Sequence, residues 1–317
     1  MGIPNEIIIE LTRECNLDCK FCFNKQEQSD FKPILKRDVF NILEDISDSG
    51  IKAVRFTGGE PFLRKDLIEI LKKAKSLGLY VILNSNGFLI NQKNIHYLNY
   101  VDLVLFSLHS IDRFERVKES TRLLKDYNLK IMLATIMTKE NIKNLENFYK
   151  LVSSLKQPNL SEWFLLRQIP NETNKEPLSK ADIKKIYEKV TSYNKKYDLN
   201  IKIANALPFC AIEEDLASIS KGGIFDSGYS RIVIDCNGHY KTDYYSNDLL
   251  RSINEHSILD IWNSKEMEDI RNYRRVNNKC KECYYLEKCK GGLLKNETLR
   301  DFDNIKLFVS IALPTHN

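Results

Sequence analysis

The 317-residue sequence is poor in the residues that punctuate or bias a chain, with 12 Gly, 8 Pro, 5 His and 2 Trp. So little Gly and Pro excludes a collagen-like or low-complexity chain, and 43% apolar residues with 29% charged exclude a wholly disordered one. Long apolar runs are missing as well. The longest lie near Leu103–Phe106 and Leu307–Val309, far short of the roughly 20 residues that a membrane span needs. The opening Met1-Gly2-Ile3-Pro4-Asn5-Glu6 has no cationic stretch leading into an apolar one, so no secretory signal is readable. A soluble cytoplasmic protein with no membrane partner is the expectation. A net charge of +5 is too small to argue for nucleic acid, and none is expected.

The eight cysteines are unevenly placed. Cys15, Cys19 and Cys22 form C-x3-C-x2-C, Cys280, Cys283 and Cys289 form C-x2-C-x5-C, and Cys210 and Cys236 stand alone. In a cytosolic chain such spacing points to metal binding rather than to a disulfide framework. Around the second cluster, Arg271–Lys290 holds seven Lys or Arg against Glu282 and Glu287, an excess equal to that of the whole chain. A basic collar of this kind suits an anionic cluster or an acidic partner, and equally a solvated helix face.

The first half alternates β-branched runs with amphipathic segments. Strands are predicted at 7–11, 51–56, 80–83, 103–107, 130–135 and 163–167, and helices at 37–49, 65–77, 91–97, 113–127 and 141–155. Six strands alternating with helices imply right-handed βαβ units, a parallel sheet and chemistry at the carboxyl ends of the strands. There the sequence places Thr12-Arg13, Thr57-Gly58-Gly59-Glu60, Asn84-Ser85-Asn86-Gly87, Ser107-Leu108-His109, Thr138 and Gln168. Past residue 170 the alternation stops. A polar linker at 171–177, a helix at 179–197 capped by Ser179, a hairpin turning at Cys236-Asn237-Gly238 and a helix at 258–275 are expected.

Three thiolates within eight residues can occupy three irons of one [4Fe–4S] cube and leave the fourth open. A structural zinc knot would want a fourth ligand nearby, and no Cys or His follows until His96. At this point the sequence resembles the radical S-adenosylmethionine (SAM) enzymes. Their C-x3-C-x-aromatic-C signature stands as Cys15-Asn16-Leu17-Asp18-Cys19-Lys20-Phe21-Cys22, and their Gly-Gly-Glu-Pro as Gly58-Gly59-Glu60-Pro61. The resemblance covers roughly residues 5–170. It implies a partial (β/α)6 TIM-type barrel and a [4Fe–4S] cluster on Cys15, Cys19 and Cys22 whose open iron chelates SAM. One electron then gives methionine and a 5′-deoxyadenosyl radical. It further implies that Gly58, Gly59 and Glu60 hold the methionyl amino group beside Pro61, that Phe21 lies by the adenine, and that Ser85, Asn86 and Ser107 flank the ribose or carboxylate. Arg113 and Arg116 are candidates for the carboxylate clamp, with Arg116 preferred.

The tail resembles the SPASM/Twitch extension of the same superfamily in reduced form. Asp243 and Leu293 stand where two of its cysteines are expected. The expectation is therefore a barrel over 1–200 and a hairpin-plus-helix iron–sulfur domain over 201–317. Its single auxiliary [4Fe–4S] cluster would sit on Cys280, Cys283 and Cys289, with Cys236 as fourth ligand. Cys210, Asp301 or an open site are alternatives for that ligand, and a structural zinc site is the alternative for the whole cluster. Cys210 is also a candidate hydrogen donor. By analogy with tails of this kind, the expected substrate is a peptide or small protein, crosslinked or epimerised, with a flavodoxin or ferredoxin-type electron donor. No leader-binding module is expected ahead of Ile7. The alternatives are a small-molecule dehydrogenase or cofactor-biosynthesis enzyme, and a non-catalytic iron–sulfur electron carrier.

Overall fold

Apolar residues at helical spacing, laid against strands rich in Ile, Val and Leu, determine the architecture. The computed structural model describes residues 2–22, 33–155, 157–168, 178–199, 201–204, 228–244 and 249–290. Strands β1 (Glu6–Thr12), β2 (Ala53–Gly58), β3 (Tyr80–Ser85), β4 (Leu103–Ser107), β5 (Lys130–Met137) and β6 (Leu160–Arg167) pair in parallel, in chain order. Between them run α1 (Lys36–Asp48), α2 (Leu67–Ser76), α3 (Phe114–Leu123), α4 (Lys139–Lys143) and α5 (Leu145–Ser153), and α6 (Lys180–Tyr197) follows β6. The six expected strands are all present and form a mixed α/β fold of partial TIM-barrel type. A short seventh strand, β7 (Lys202–Ala204), extends the far edge.

The helices cover the outer face. On α5, Leu145, Phe148, Tyr149 and Val152 are buried, and on α6 Ile183, Ile186, Tyr187 and Val190, each at i, i+3, i+4 and i+7. Ser179 caps α6 in a capping box with Asp182, as its position suggests. The inner face is different. On β4, β5 and β6 the outward residues other than Ser161 are buried, whereas on the inner face Ala134 is buried and Leu105, Ser107, Met132, Ile136, Phe164 and Leu166 stay partly exposed. A closed barrel fills this space with side chains; among the described residues this face is not sealed.

The tail does not stand apart. β8 (Arg231–Ile234) lies parallel to β1 in the register Ile9↔Ile234, and β9 (His239–Lys241) and β10 (Leu249–Ser252) continue the same ten-stranded sheet. Then come α7 (Ile258–Trp262), α8 (Lys265–Arg271), α9 (Asn278–Lys281) and α10 (Leu286–Cys289). The single helix expected over 258–275 is split because Ser264 caps a new one, accepting from Met267 N. The segment expected as a helix at 91–97 is a 3-10 turn over Ile95–Tyr100. Asn91 and Asn94 bond their side chains to nearby backbone, including the Leu89 carbonyl, which competes with helix formation. Trp262 Nε1 donates to the Gly2 carbonyl at 2.7 Å and Ile258 N to Asp45 at 2.7 Å, tying tail to barrel. No helix among the described residues is long and apolar enough to cross a membrane.

Candidate active site

The cysteine loop, residues 13–22, leaves the carboxyl end of β1 and is gripped at its root by the turn after β2. Gly59 N donates to the Thr12 carbonyl at 2.6 Å and Glu60 N to the Glu14 carbonyl at 2.8 Å. Such closeness needs glycine. A Cβ on Gly58, which has φ +124°, would fall 2.2 Å from Thr12 O, and one on Gly59 would fall 2.1 Å from Glu14 O. The Gly-Gly pair thus has a task in the protein itself, which is to let β2 dock against the loop that carries the thiols.

Glu60 is fully buried. One carboxylate oxygen accepts from Phe62 N at 3.1 Å and Ser85 Oγ at 2.9 Å, the other from Asn86 N at 2.7 Å. Burial pushes its acid up to about 7 against the opposing pull of these three hydrogen bonds. With both oxygens already engaged, Glu60 clasps the end of β3 to the turn after β2, and Pro61 opens a short 3-10 turn behind it. Asn86 turns back to the loop, its Nδ2 2.8 Å from Asn16 Oδ1 and 3.8 Å from Cys15 Sγ, while its Oδ1 accepts from Phe88 N. Burial, followed in effect by the charges of Glu60 and Cys19, raises the Cys15 thiol above its usual range.

The end of β4 supplies the opposite wall. Ser107 closes the strand on its half-buried inner face. The His109 ring stands edge-on to Phe21, centroids 5.2 Å apart at 89°, and its Nδ1 accepts from Ile136 N at 3.2 Å. Desolvation of the ring, then the charge of Arg113, hold this imidazole down at about 3, so it is neutral with its proton on Nε2. Arg113 Nη1 lies 3.1 Å from Cys19 Sγ. Arg116, the preferred clamp, is engaged elsewhere. Its Nη2 reaches the carbonyls of Phe88 at 2.7 Å and Ile90 at 3.1 Å, and its Nη1 pairs with Glu119. It fastens the loop after β3, and Arg113 is the arginine that faces the cysteines. Asn16 and the carbonyls of Thr12 and Glu14 were invisible to motif reading, because their roles depend on which strand end lies beside them.

N–H donors are thus aimed at the Cys15 and Cys19 sulfurs. Thiolate ligands of an anionic iron–sulfur cluster are stabilised by donors of this kind, and in that respect the residues fit the cluster. Among the described residues no three Cys, His, Asp or Glu side chains converge on one metal-sized centre.

In the tail, Cys280 and Cys289 are buried on α9 and α10, with Cys283 between them. Lys290 fixes the end of this segment. Its Nζ is 3.1 Å from Tyr273 Oη and 4.8 Å from the centre of the Tyr229 ring, next to the amino end of β8. Cys236 lies past the opposite end of that strand, among Glu10, Arg13 and Asp235, with its carbonyl accepting from Ile34 N at 2.8 Å. At about 3.3 Å per residue, β8 separates the two, which argues against Cys236 as fourth ligand to the tail cluster. Burial pushes the Cys236 thiol up to about 12. Cys210, Leu293, Asp301 and the 171–177 linker lie outside the described residues.

Comparison with known proteins bears on both ends of the chain. The Radical SAM superfamily matches residues 9–152, and an iron-sulfur cluster-binding domain, SPASM, matches residues 226–284. The chain is 29% identical over 290 residues to a "Probable GTP 3',8-cyclase" of Saccharolobus islandicus (strain M.14.25), covering 85% of this chain and 91% of that protein. It is 28% identical over 289 residues, with the same coverage, to the protein of the same name from Saccharolobus solfataricus. In fold it is similar to Streptococcus suis SuiB bound to precursor peptide SuiA, with TM-score 0.75, 22% identity, and 93% of this chain and 72% of that one covered. The curated relatives overturn the expected peptide or small-protein substrate. They align along most of both chains and are named for a reaction of GTP, while a structural likeness at 22% identity speaks to fold alone.

Proposed function

Because the chain belongs to the radical SAM superfamily and ends in a SPASM-type iron–sulfur domain, we propose that it applies radical chemistry to a small molecule, a purine nucleoside triphosphate such as GTP. One observation carries this reading, namely near-full-length similarity to proteins named GTP 3',8-cyclase. The partly exposed inner face of β4 to β6 is compatible with it, since a compact substrate would lie against these strand ends. The cluster and SAM, when bound, supply an organic radical able to abstract hydrogen.

The chain's own residues have the remaining tasks. Cys15, Cys19 and Cys22 would hold the cluster. Phe21, braced on edge by His109, would line the adenine side, and the Gly58–Gly59 turn the methionyl side. Glu60 and Asn86 keep the β2 and β3 ends fixed against the loop, and Ser85 and Ser107 complete the walls. Arg113 offers the positive charge near the cysteines. His109, neutral and tethered through Nδ1, can present a hydrogen-bond donor at Nε2 without adding charge to the site. Cys280, Cys283 and Cys289 would hold an auxiliary cluster, and a flavodoxin or ferredoxin-type protein would deliver electrons.

The test is anaerobic incubation of the reconstituted protein with dithionite, SAM and GTP. Formation of 5′-deoxyadenosine together with loss of GTP is expected. Formation of 5′-deoxyadenosine while GTP stays intact overturns the substrate assignment, and none at all overturns the chemistry.

A further inference from the structure

Of Arg64, Arg113 and Arg116, which follow β2 and β4, two act as fasteners. Arg64 pairs with Asp66 at 2.6 Å and donates to the Leu11 carbonyl at 2.8 Å, and Arg116 fastens the 88–90 backbone. Arg113 differs. Among the described residues it has no carboxylate partner, and its side-chain hydrogen bond runs 3.1 Å from Nη1 to Cys19 Sγ, 94 residues away in the chain. It is placed there by the fold. The 3-10 turn Ile111–Arg113 that follows β4 ends at this residue, before α3 begins at Phe114.

A guanidinium at this distance donates a charge-assisted hydrogen bond to a sulfur that belongs to a cluster ligand set. Hydrogen bonds to ligand sulfurs and local charge are among the factors that set the reduction potential of an iron–sulfur cluster. Reduction adds one electron, so a cation and an N–H donor on a ligand sulfur stabilise the reduced form more than the oxidised form. We infer that Arg113, through its contact with Cys19, raises the reduction potential of the N-terminal cluster and so makes it accessible to a protein electron donor. In this role Arg113 is a positioning residue acting through Cys19, and the inference holds for any substrate.

The experiment uses the full chain reconstituted anaerobically. The N-terminal cluster is identified by the change in its EPR signal on adding SAM, and is then titrated potentiometrically without SAM. In R113Q, at unchanged iron content, the reduced-to-oxidised ratio at a fixed potential should fall about tenfold. That is about 59 mV to the negative side for a one-electron couple. R113K, which keeps the charge but not the planar fork, should fall between R113Q and wild type. A wild-type midpoint in R113Q with full iron content overturns the inference. If R113Q loses iron, R113K decides in its place, and a wild-type midpoint there overturns it equally. Loss of N-terminal iron in both variants also overturns it, leaving Arg113 a structural clasp.

Discussion

Gly59 and Glu14 touch so closely that a methyl group on the glycine would sit 2.1 Å from the Glu14 carbonyl oxygen. That contact seats the cysteine loop on the barrel. G59A should therefore displace the loop, with loss of N-terminal iron and of SAM cleavage, and a stability cost of about 1–3 kcal/mol for overpacking. G78A is the control. Its Cβ meets nothing within 4 Å, and only the positive φ of +75° opposes it, so it should cost about 1–2 kcal/mol and leave the iron untouched. Iron analysis of the two purified variants compares them directly.

Glu60 should give the protein a pH-dependent stability of unusual sign. Its acid is raised from 4.5 to about 7 by burial. Between those values the folded chain keeps a proton that the unfolded chain has released. Stability contributed by this group is thus present below pH 4.5 and lost as pH rises through about 7, at about 1.4 kcal/mol per unit. E60Q should remove this slope. It should also lower stability at all pH values by about 1–3 kcal/mol, because an amide NH2 would then face the N–H donors of Phe62 or Asn86. Denaturant unfolding at pH 5 and pH 7.5 reads both effects.

The tail thiols and Cys236 should separate cleanly. Replacing Cys280 and Cys289 together by Ala is expected to remove the auxiliary iron while preserving the EPR change on adding SAM. C236A should leave both iron pools in place. If C236A instead loses the auxiliary iron, Cys236 is a ligand of that cluster.

Trp262 ties α7 to the start of the chain, with its indole N–H on the Gly2 carbonyl and the Arg271 guanidinium 4.0 Å above its ring. W262F removes the hydrogen bond and should cost about 1 kcal/mol. W262A also opens a cavity and should cost about 3–5 kcal/mol. Thermal unfolding of the two variants should rank them in that order.

Much of this was legible in the sequence because the signals were local. The six strands show as β-branched runs, Ser179 as a helix start, and the two cysteine motifs as spacing. What stayed hidden was set by neighbours in space. β7 and β10 span only three and four residues, too short for a periodic pattern. Arg113 and Arg116 look alike on paper and differ because one ends a 3-10 turn facing the loop while the other lies in α3 facing the 88–90 backbone. Cys236 sits at the hairpin turn as expected, but nothing in its surroundings in sequence shows that β8 runs beside β1 and sets the thiol among Glu10 and Arg13. The peptide substrate was inferred from tail architecture, and that architecture does not encode what enters the barrel.

Because β8 is hydrogen-bonded to β1, the first strand of the barrel has a neighbour on each side, and one of them comes from more than two hundred residues later in the chain. A fragment ending before residue 228 would leave β1 with a raw margin of unsatisfied N–H and C=O groups beneath the cysteine loop, an invitation to stick to other molecules. Biochemists dissecting the two iron centres should therefore silence one by point substitution and keep the polypeptide whole.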